Sequence, residues 1–311
     1  MKFSFTSLGC SSALPTVNNY PSAHVLNVHE RLFLIDCGEG CQMQMRRYGI
    51  SILKIDHIFV SHIHGDHIFG IYGLLSTMSM LGRIADIFIY APKGFAPVLK
   101  SFLKYFGEGF KYNVIHKIVD VREKEIVFSA RTIEVSAFPL NHRVDCYGYL
   151  FSEKEPKLNV FKDMIERYTL TLSEIAKLKN GEDVIRDNGE RLESKLLTYK
   201  PYQPRSFAYC SDTAPFAKLK DYIRGADILY HEATFASNLA ATAVETMHST
   251  AEDAAHAALE AEAKMLIIGH FSSRYKETDI FEREAKKIFK NCYIAEQGIE
   301  FDIPLEKYKL I

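Results

Sequence analysis

Residues His62-Ile63-His64-Gly65-Asp66-His67 place three histidines and an aspartate within six positions. In an extended segment, residues two apart point the same way, so His62 and His64 can grip one cation together. Gly65 is expected to let the backbone turn so that Asp66 and His67 face a second cation nearby. Imidazole and carboxylate donors without thiolate suit a catalytic zinc, with a position open to water, rather than a closed structural site. The alternative is a surface histidine cluster that holds no ion, and this density of donors argues against it.

Six residues cannot complete two coordination spheres, so partners are expected downstream. Three candidates share one context, an apolar strand that ends in a potential ligand. His142 follows Ile133–Phe138, Asp212 follows Phe207–Cys210, and His270 follows Met265–Gly269. Each alone is an ordinary buried or surface residue, but side chains at strand ends along one sheet edge converge. The expected assignment gives His62, His64 and His142 to one ion and Asp66, His67 and His270 to the other. Asp212 bridges them, because a carboxylate has two oxygens to share. Two such ions, roughly 3.5–4 Å apart, activate a bridging water and stabilise the attacking and leaving oxygens of a phosphoryl transfer.

The elements that must position these groups are legible as hydrophobic patterns. Residues 1–8, Ala23–Val28 and Leu32–Ile35 alternate like half-buried strands, and His57–Ser61 runs as a strand into the histidine-rich loop. Short apolar runs at Ile87–Ala91 and Ile228–Tyr230 add to those that end in the downstream candidates. Gln42–Tyr48 reads as a short helix, and Ile68–Leu81 has helix length. The Ala- and Glu-rich stretch Ala251–Lys264 predicts a helix with Thr250 as N-cap and Asp253 three residues on. Strands alternating with helices imply an α/β protein whose helices cover sheet faces.

The chain of 311 residues suits one large domain, with a formal net charge of −1 that points to no polyanion partner. Any nucleic acid must therefore meet local positive charge. Six scattered cysteines (Cys10, Cys37, Cys41, Cys146, Cys210 and Cys292) form no C-x-x-C pair and read as reduced thiols of a cytoplasmic protein. The start Met1–Gly9 is broken by Ser4, Thr6 and Ser7, a strand pattern rather than a secretory signal. No run of 18 apolar residues occurs, so no membrane partner is expected.

Residues 152–205 differ, with 11 Lys/Arg against 10 Asp/Glu, few apolar runs, and turns at Asn180-Gly181 and Asn188-Gly189. They read as an arm inserted within a single domain of residues 1–311, with one helix near Leu172–Lys179. A peripheral cap that merely stabilises a loop is the alternative.

With these residues in hand, the chain resembles the metallo-β-lactamase superfamily through its H-x-H-x-D-H run. Within it, the chain is similar to the ribonuclease Z family. The likeness rests on Leu8–Asn18, Leu34–Arg47, Ile58–Met78, Ser211-Asp212-Thr213, His231–Phe235, Met247–Ala255 and Gly269–Tyr275. The resemblance implies an αββα sandwich with an inserted projecting arm, two Zn2+ per chain (Mn2+ or Mg2+ as substitutes) and a homodimer. It implies a metal-dependent endoribonuclease that removes the 3′ trailer from precursor tRNA after the discriminator nucleotide. In that scheme Asp66 is general base as well as ligand, ligation alone being the alternative. His248 and its partner Glu232 protonate the leaving 3′ oxygen. His248 also precedes the N-terminus of the helix at Ala251, where the dipole favours a phosphate. Arg274 either contacts the scissile phosphate or simply pairs with Asp or Glu. His24, His29, His57, His116, His231 and His256, and the pair Cys37 and Cys41, are read as packing residues.

The family's Gly/Pro-rich arm tip is absent here, with only Gly181, Gly189, Pro156, Pro201 and Pro204 in the insertion. Where P-x-K-x-R-N is expected, Lys154–Asn159 keeps only the final Asn. Lys157, Lys162, Arg167, Lys177 and Lys179 remain as salt-sensitive phosphate contacts. Two other functions fit parts of the chain. A small-molecule phosphodiesterase, lactonase or thioesterase would keep the metals but has no use for a long arm. A non-catalytic RNA-binding module would have no use for seven ligands.

Overall fold

The computed structural model describes Met1–Tyr308. Its strands, in chain order, are β1 (Phe3–Gly9), β2 (Ala23–Val28), β3 (Arg31–Cys37), β4 (Ile55–Phe59), β5 (Ile87–Pro92), β6 (Val114–Val119) and β7 (Glu125–Ser129). They continue as β8 (Ile133–Pro139), β9 (Tyr147–Glu153), β10 (Ser206–Cys210), β11 (Ile228–Glu232), β12 (Met265–Gly269), β13 (Cys292–Ile294) and β14 (Glu300–Asp302). They form two seven-stranded sheets, ordered β14-β1-β2-β3-β4-β5-β6 and β13-β12-β11-β10-β9-β8-β7.

Within each strand, successive side chains enter different cores. Phe33 and Ile35 lie in the aromatic layer between the sheets, while Leu34 faces the helices. In the second sheet Phe207 and Tyr209 enter the inter-sheet layer, and Ala208 and Cys210 pack under the helices. Strands covered on both faces therefore read as continuous apolar runs. The result is the expected αββα sandwich.

The outer helices over the first sheet are α1 (Cys41–Arg47), α2 (Gly65–Met80) and α3 (Phe95–Phe106). Helix α2 begins three residues before the expected start at Ile68, so Gly65, Asp66 and His67 form its first turn. Gly65 is therefore not the turn the sequence suggested, and its φ is not positive. Close packing instead depends on Gly70: a Cβ there would lie 2.1 Å from the Gly38 carbonyl oxygen. Likewise β4 begins at Ile55 and ends at Phe59, leaving Val60–His64 outside the ladder.

Between β9 and β10 lie helices α4 (Lys162–Arg167) and α5 (Leu172–Lys179) and two small ribbons. Leu170, Leu178, Val184, Leu192 and Leu197 give this insertion its own apolar cluster. Helix α5 has the expected bounds, capped by a reciprocal Thr171–Glu174 box. At the base of the insertion, buried Arg205, just before the strand re-entering the sheet, pairs with Glu153 on the strand leaving it, at 2.8 Å. Helix α6 (Ala240–Thr246) precedes α7 (Ala251–Glu260) and α8 (Asp279–Ile288), which pack over the second sheet. Helix α7 carries the expected Thr250–Asp253 capping box but stops four residues before the expected Lys264. All six cysteines are free and buried. Among the described residues, no helix is long and apolar enough to cross a membrane.

Candidate metal centre

The sequence-distant donors meet at the carboxyl ends of strands, where α/β sheets form their ligand crevices. His62 and His64 follow β4, His142 follows β8, Asp212 follows β10, and His270 follows β12. Donor atoms of His62, His64, His142 and Asp212 all lie within 4.8 Å of one another, as do those of Asp66, His67 and His270. Asp212 faces both groups with different oxygens. Its Oδ2 is 3.5 Å from His62 Nε2 and 3.9 Å from His142 Nε2. Its Oδ1 is 3.2 Å from His270 Nε2 and 3.5 Å from His67 Nε2. Asp66 Oδ2 lies 3.5 Å from each of the same two nitrogens.

These residues fit a bound metal by three criteria. First, the far nitrogens of four rings are pinned. His67 Nδ1–H donates to Asp36 Oδ2 at 2.8 Å and His142 Nδ1–H to the Met247 carbonyl at 3.0 Å. His270 Nδ1–H donates to Thr234 Oγ1 at 2.9 Å, and His62 Nδ1–H to Ser61 Oγ at 3.1 Å. Second, Nε2 of His67, His142 and His270 is buried without any hydrogen-bond partner. A buried nitrogen left orphaned costs about 1–3 kcal/mol unless something occupies it. Third, zinc bonds of about 2.0–2.1 Å imply tetrahedral edges of roughly 3.3 Å, close to the spacings around Asp212 Oδ1. Burial, reinforced by the neighbouring His67, His64 and His142 rings, pushes the His62 pKa well below its ordinary value. The neutral ring keeps the lone pair a metal needs.

Behind the donors stands a supporting layer. Asp36, wholly buried at the end of β3, accepts from Ser61 N–H, Ser61 Oγ, His67 and Tyr209 Oη at 2.6–2.8 Å. Such carboxylate–histidine pairs orient metal ligands and raise their basicity. No spacing motif in the sequence points to Asp36. Its signal was a charged residue closing the apolar run Leu32–Ile35, which is costly to bury unless it is fully satisfied.

Glu232, also wholly buried, accepts from the backbone N–H of Thr213, Ser249 and Thr234 and from Thr234 Oγ1. Its Oε1 also lies 2.9 Å from His248 Nδ1. Burial opposes the charged form of His248, but the Glu232 carboxylate outweighs it and raises the pKa. One donor atom each of His248, Asp212 and His270 falls within 4.8 Å. Asp66 Oδ2 accepts from Ala13 N–H at 2.8 Å. Arg274 pairs with no carboxylate among the described residues and stands over the Phe235 ring, 5.9 Å from its centroid. The packing histidines stay outside the cluster: His29 pairs with Glu153, and His24 is enclosed near Phe5, Tyr209 and Tyr230.

Four of the non-glycine residues with positive φ adjoin this centre: Ala13, Asp36, Met247 and His270. Backbone held in this sparsely populated region costs of order 1–3 kcal/mol and marks sites where placement matters more than stability.

A family profile described as the anti-Pycsar protein Apyc1 matches residues 3–174. Ribonuclease Z of Bacteroides fragilis is 42% identical over 298 residues, spanning 96% of this chain and 98% of that protein. Ribonuclease Z of Cytophaga hutchinsonii is 42% identical over 302 residues, spanning 97% and 96%. Among solved structures, the short form of human tRNase Z matches with a TM-score of 0.71 at 24% identity, over 97% of this chain and 99% of that one. The metallo-β-lactamase fold protein YhfI from Bacillus subtilis matches with a TM-score of 0.69 at 18% identity, over 97% and 100%.

Proposed function

The chain belongs to the ribonuclease Z family and, through residues 3–174, to the family described as the anti-Pycsar protein Apyc1, and from that premise we propose how it works. It is a hydrolytic endoribonuclease of tRNA 3′ processing. It cuts the 3′ trailer from precursor tRNA after the discriminator nucleotide and leaves a 3′ hydroxyl on the tRNA.

Two zinc ions would fit this centre, with His62, His64 and His142 as the residues that would hold one, Asp66, His67 and His270 those that would hold the other, and Asp212 facing both groups. The observation that carries this reading is the Asp212 carboxylate, one oxygen turned to each donor group. When bound, the ions supply a water of lowered pKa and positive charge against the phosphoryl oxygens.

The chain's own groups handle the protons. Asp66 commits Oδ2 to the donor group and Ala13 N–H, while Oδ1 stays available to take a proton from the attacking water. As the water oxygen bonds to phosphorus, the bond from phosphorus to the 3′ oxygen breaks and its electron pair goes to that oxygen. His248, kept charged by Glu232, delivers the proton there, giving the 3′ hydroxyl and a trailer with a 5′ phosphate. Arg274, which pairs with no carboxylate among the described residues, contacts the scissile phosphate.

We read residues 152–205 as an arm that grips the tRNA body. Support comes from Lys157, Lys162, Arg167, Lys177 and Lys179, none of which pairs with a carboxylate among the described residues. The enzyme works as a homodimer in the cytoplasm. Mapping the ends produced from a 3′-extended precursor tRNA tests the assignment, and a single cut after the discriminator is expected. If zinc-loaded protein leaves the precursor intact yet hydrolyses bis-p-nitrophenyl phosphate, the chain is a small-diester hydrolase instead.

A further inference from the structure

The apolar cluster of the insertion, built on Leu170, Leu178, Val184, Leu192 and Leu197, is separate from the three cores of the sandwich. Packing within a shared core therefore does not set the angle between insertion and body. An arm that holds the tRNA body must nevertheless present the cut to the metal centre at a defined place, because small misplacements are costly. Some other contact has to fix that angle.

A third length of chain supplies it. The return from the insertion, residues 200–205, carries Pro201 and Pro204, which fix φ and push the residues before them to extended backbone. Alongside this stiff segment run residues 303–308, beyond the end of β14. Ile303 is buried in the inter-sheet layer, where its N–H donates to the Phe3 carbonyl at 2.8 Å and its carbonyl accepts from Arg205 Nη1 at 2.9 Å. Further on, Gln203 N–H donates to the Glu306 carbonyl at 3.1 Å, and Tyr202 bridges antiparallel to Lys307. Tyr308 N–H donates to the Pro201 carbonyl at 3.1 Å. The Tyr308 ring packs on Tyr199 with centroids 5.7 Å apart, and Tyr199 packs on Phe161 at 4.9 Å. Phe161 is the N-cap of α4 and Tyr199 closes the ribbon strand Thr198–Tyr199, so both belong to the insertion. A line of contacts thus runs from the inter-sheet core to the insertion by a path other than its two neck strands.

We propose that residues 303–308 form a strap that sets the angle of the tRNA-holding arm to the metal centre, with Tyr308 as its positioning residue. The proposal rests on the reading of the insertion as that arm and adds the part that holds it in place. Tyr308 is 50% exposed, so its ring adds little to any core and its contacts serve the insertion. Lys264, whose Nζ lies 3.5 Å from Glu306 Oε1, moors the middle of the strap to the body. None of these residues takes part in the proton transfers of the cut, so the strap acts on where the RNA is held.

Three substitutions at this half-exposed position test the strap. Tyr308→Phe keeps the ring, Tyr308→Ala removes it, and Tyr308→Pro also removes the N–H that bonds Pro201. In the Ala and Pro variants KM for precursor tRNA should rise roughly 2–12-fold, the worth of one aromatic pair. Their kcat on that substrate and their hydrolysis of bis-p-nitrophenyl phosphate should stay unchanged, and Tyr308→Phe should match the wild type. Hydrogen exchange, which needs no substrate, should show the Gln203 and Phe161 amides opening faster in Tyr308→Pro. An unchanged KM, or an equal loss on the small diester, overturns the strap. A raised KM with unchanged exchange means that Tyr308 touches the RNA itself, and this also overturns it. If the wild type leaves precursor tRNA intact, the nuclease reading falls, and the exchange result alone decides whether the strap holds the insertion.

Discussion

At the scale of the residue, His248 and Asp36 show how far side-chain chemistry depends on a second group. Glu232 keeps His248 charged, and a proton donor matters only when the leaving group needs the proton. His248→Ala should therefore lower kcat on precursor tRNA by about 10²–10⁴-fold. On bis-p-nitrophenyl phosphate, whose p-nitrophenolate leaves unprotonated, the loss should be far smaller. Equal losses on both substrates would assign His248 to structure or to metal binding. The pH dependence has a definite sign. Because the acid must be protonated and its pKa is raised above 6.5, activity persists above that pH and falls as pH rises through the elevated value. Glu232→Gln should move this alkaline limb to lower pH. Asp36 shows in the sequence only as a charge closing an apolar run; its role lies in its contacts, and nothing in the spacing of Leu34-Ile35-Asp36-Cys37 shows that His67, Ser61 and Tyr209 will surround it.

At the scale of the element, the clustering of His142, Asp212 and His270 was legible because each follows a strand. The apolar runs before His142, Asp212 and His270 mark buried strands, and buried parallel strands bring their carboxyl ends to one crevice. The bounds of helices were less legible where polar function intrudes. Helix α2 starts at Gly65 because Asp66 and His67 occupy its first turn, whereas hydrophobic periodicity begins only at Ile68. Strand β7 (Glu125–Ser129), at a sheet edge with exposed Glu125 and Ile126, lacks a clear pattern. Helix α8 carries its apolar face on Ile280, Phe281, Ala285 and Ile288 among charges. The insertion is an element with its own cluster, and Phe161 N–H bonds to the Leu197 carbonyl across its neck. Deleting residues 160–195 should cripple cleavage of precursor tRNA while sparing hydrolysis of the small diester. The residual RNA activity should also depend less steeply on salt, as lost phosphate contacts require. Equal loss of both activities would argue against a separate docking role.

At the scale of the whole molecule, a net charge of −1 gives no long-range attraction for RNA, so recognition depends on where cations and subunits are placed. Helices α2 and α3 leave Phe69, Tyr105 and Phe106 more than 60% exposed, and a groove of about 520 Å3 lies between the two helices. Such an apolar face suits a second copy of the chain. Light scattering should give twice the mass of 35.5 kDa for the wild type, and Phe106→Glu should shift the mass toward one chain. A wild type that stays monomeric at micromolar concentration would contradict the dimer. Asp212, facing both donor groups, is what would join them into one catalytic centre. This role is tested most directly by measuring bound metal and precursor cleavage in the same preparations of wild type and Asp212→Ala. About two zinc ions per active wild-type chain are expected, and fewer ions with loss of cleavage in the variant. An Asp212→Ala protein that keeps both ions and still cuts precursor tRNA would contradict it.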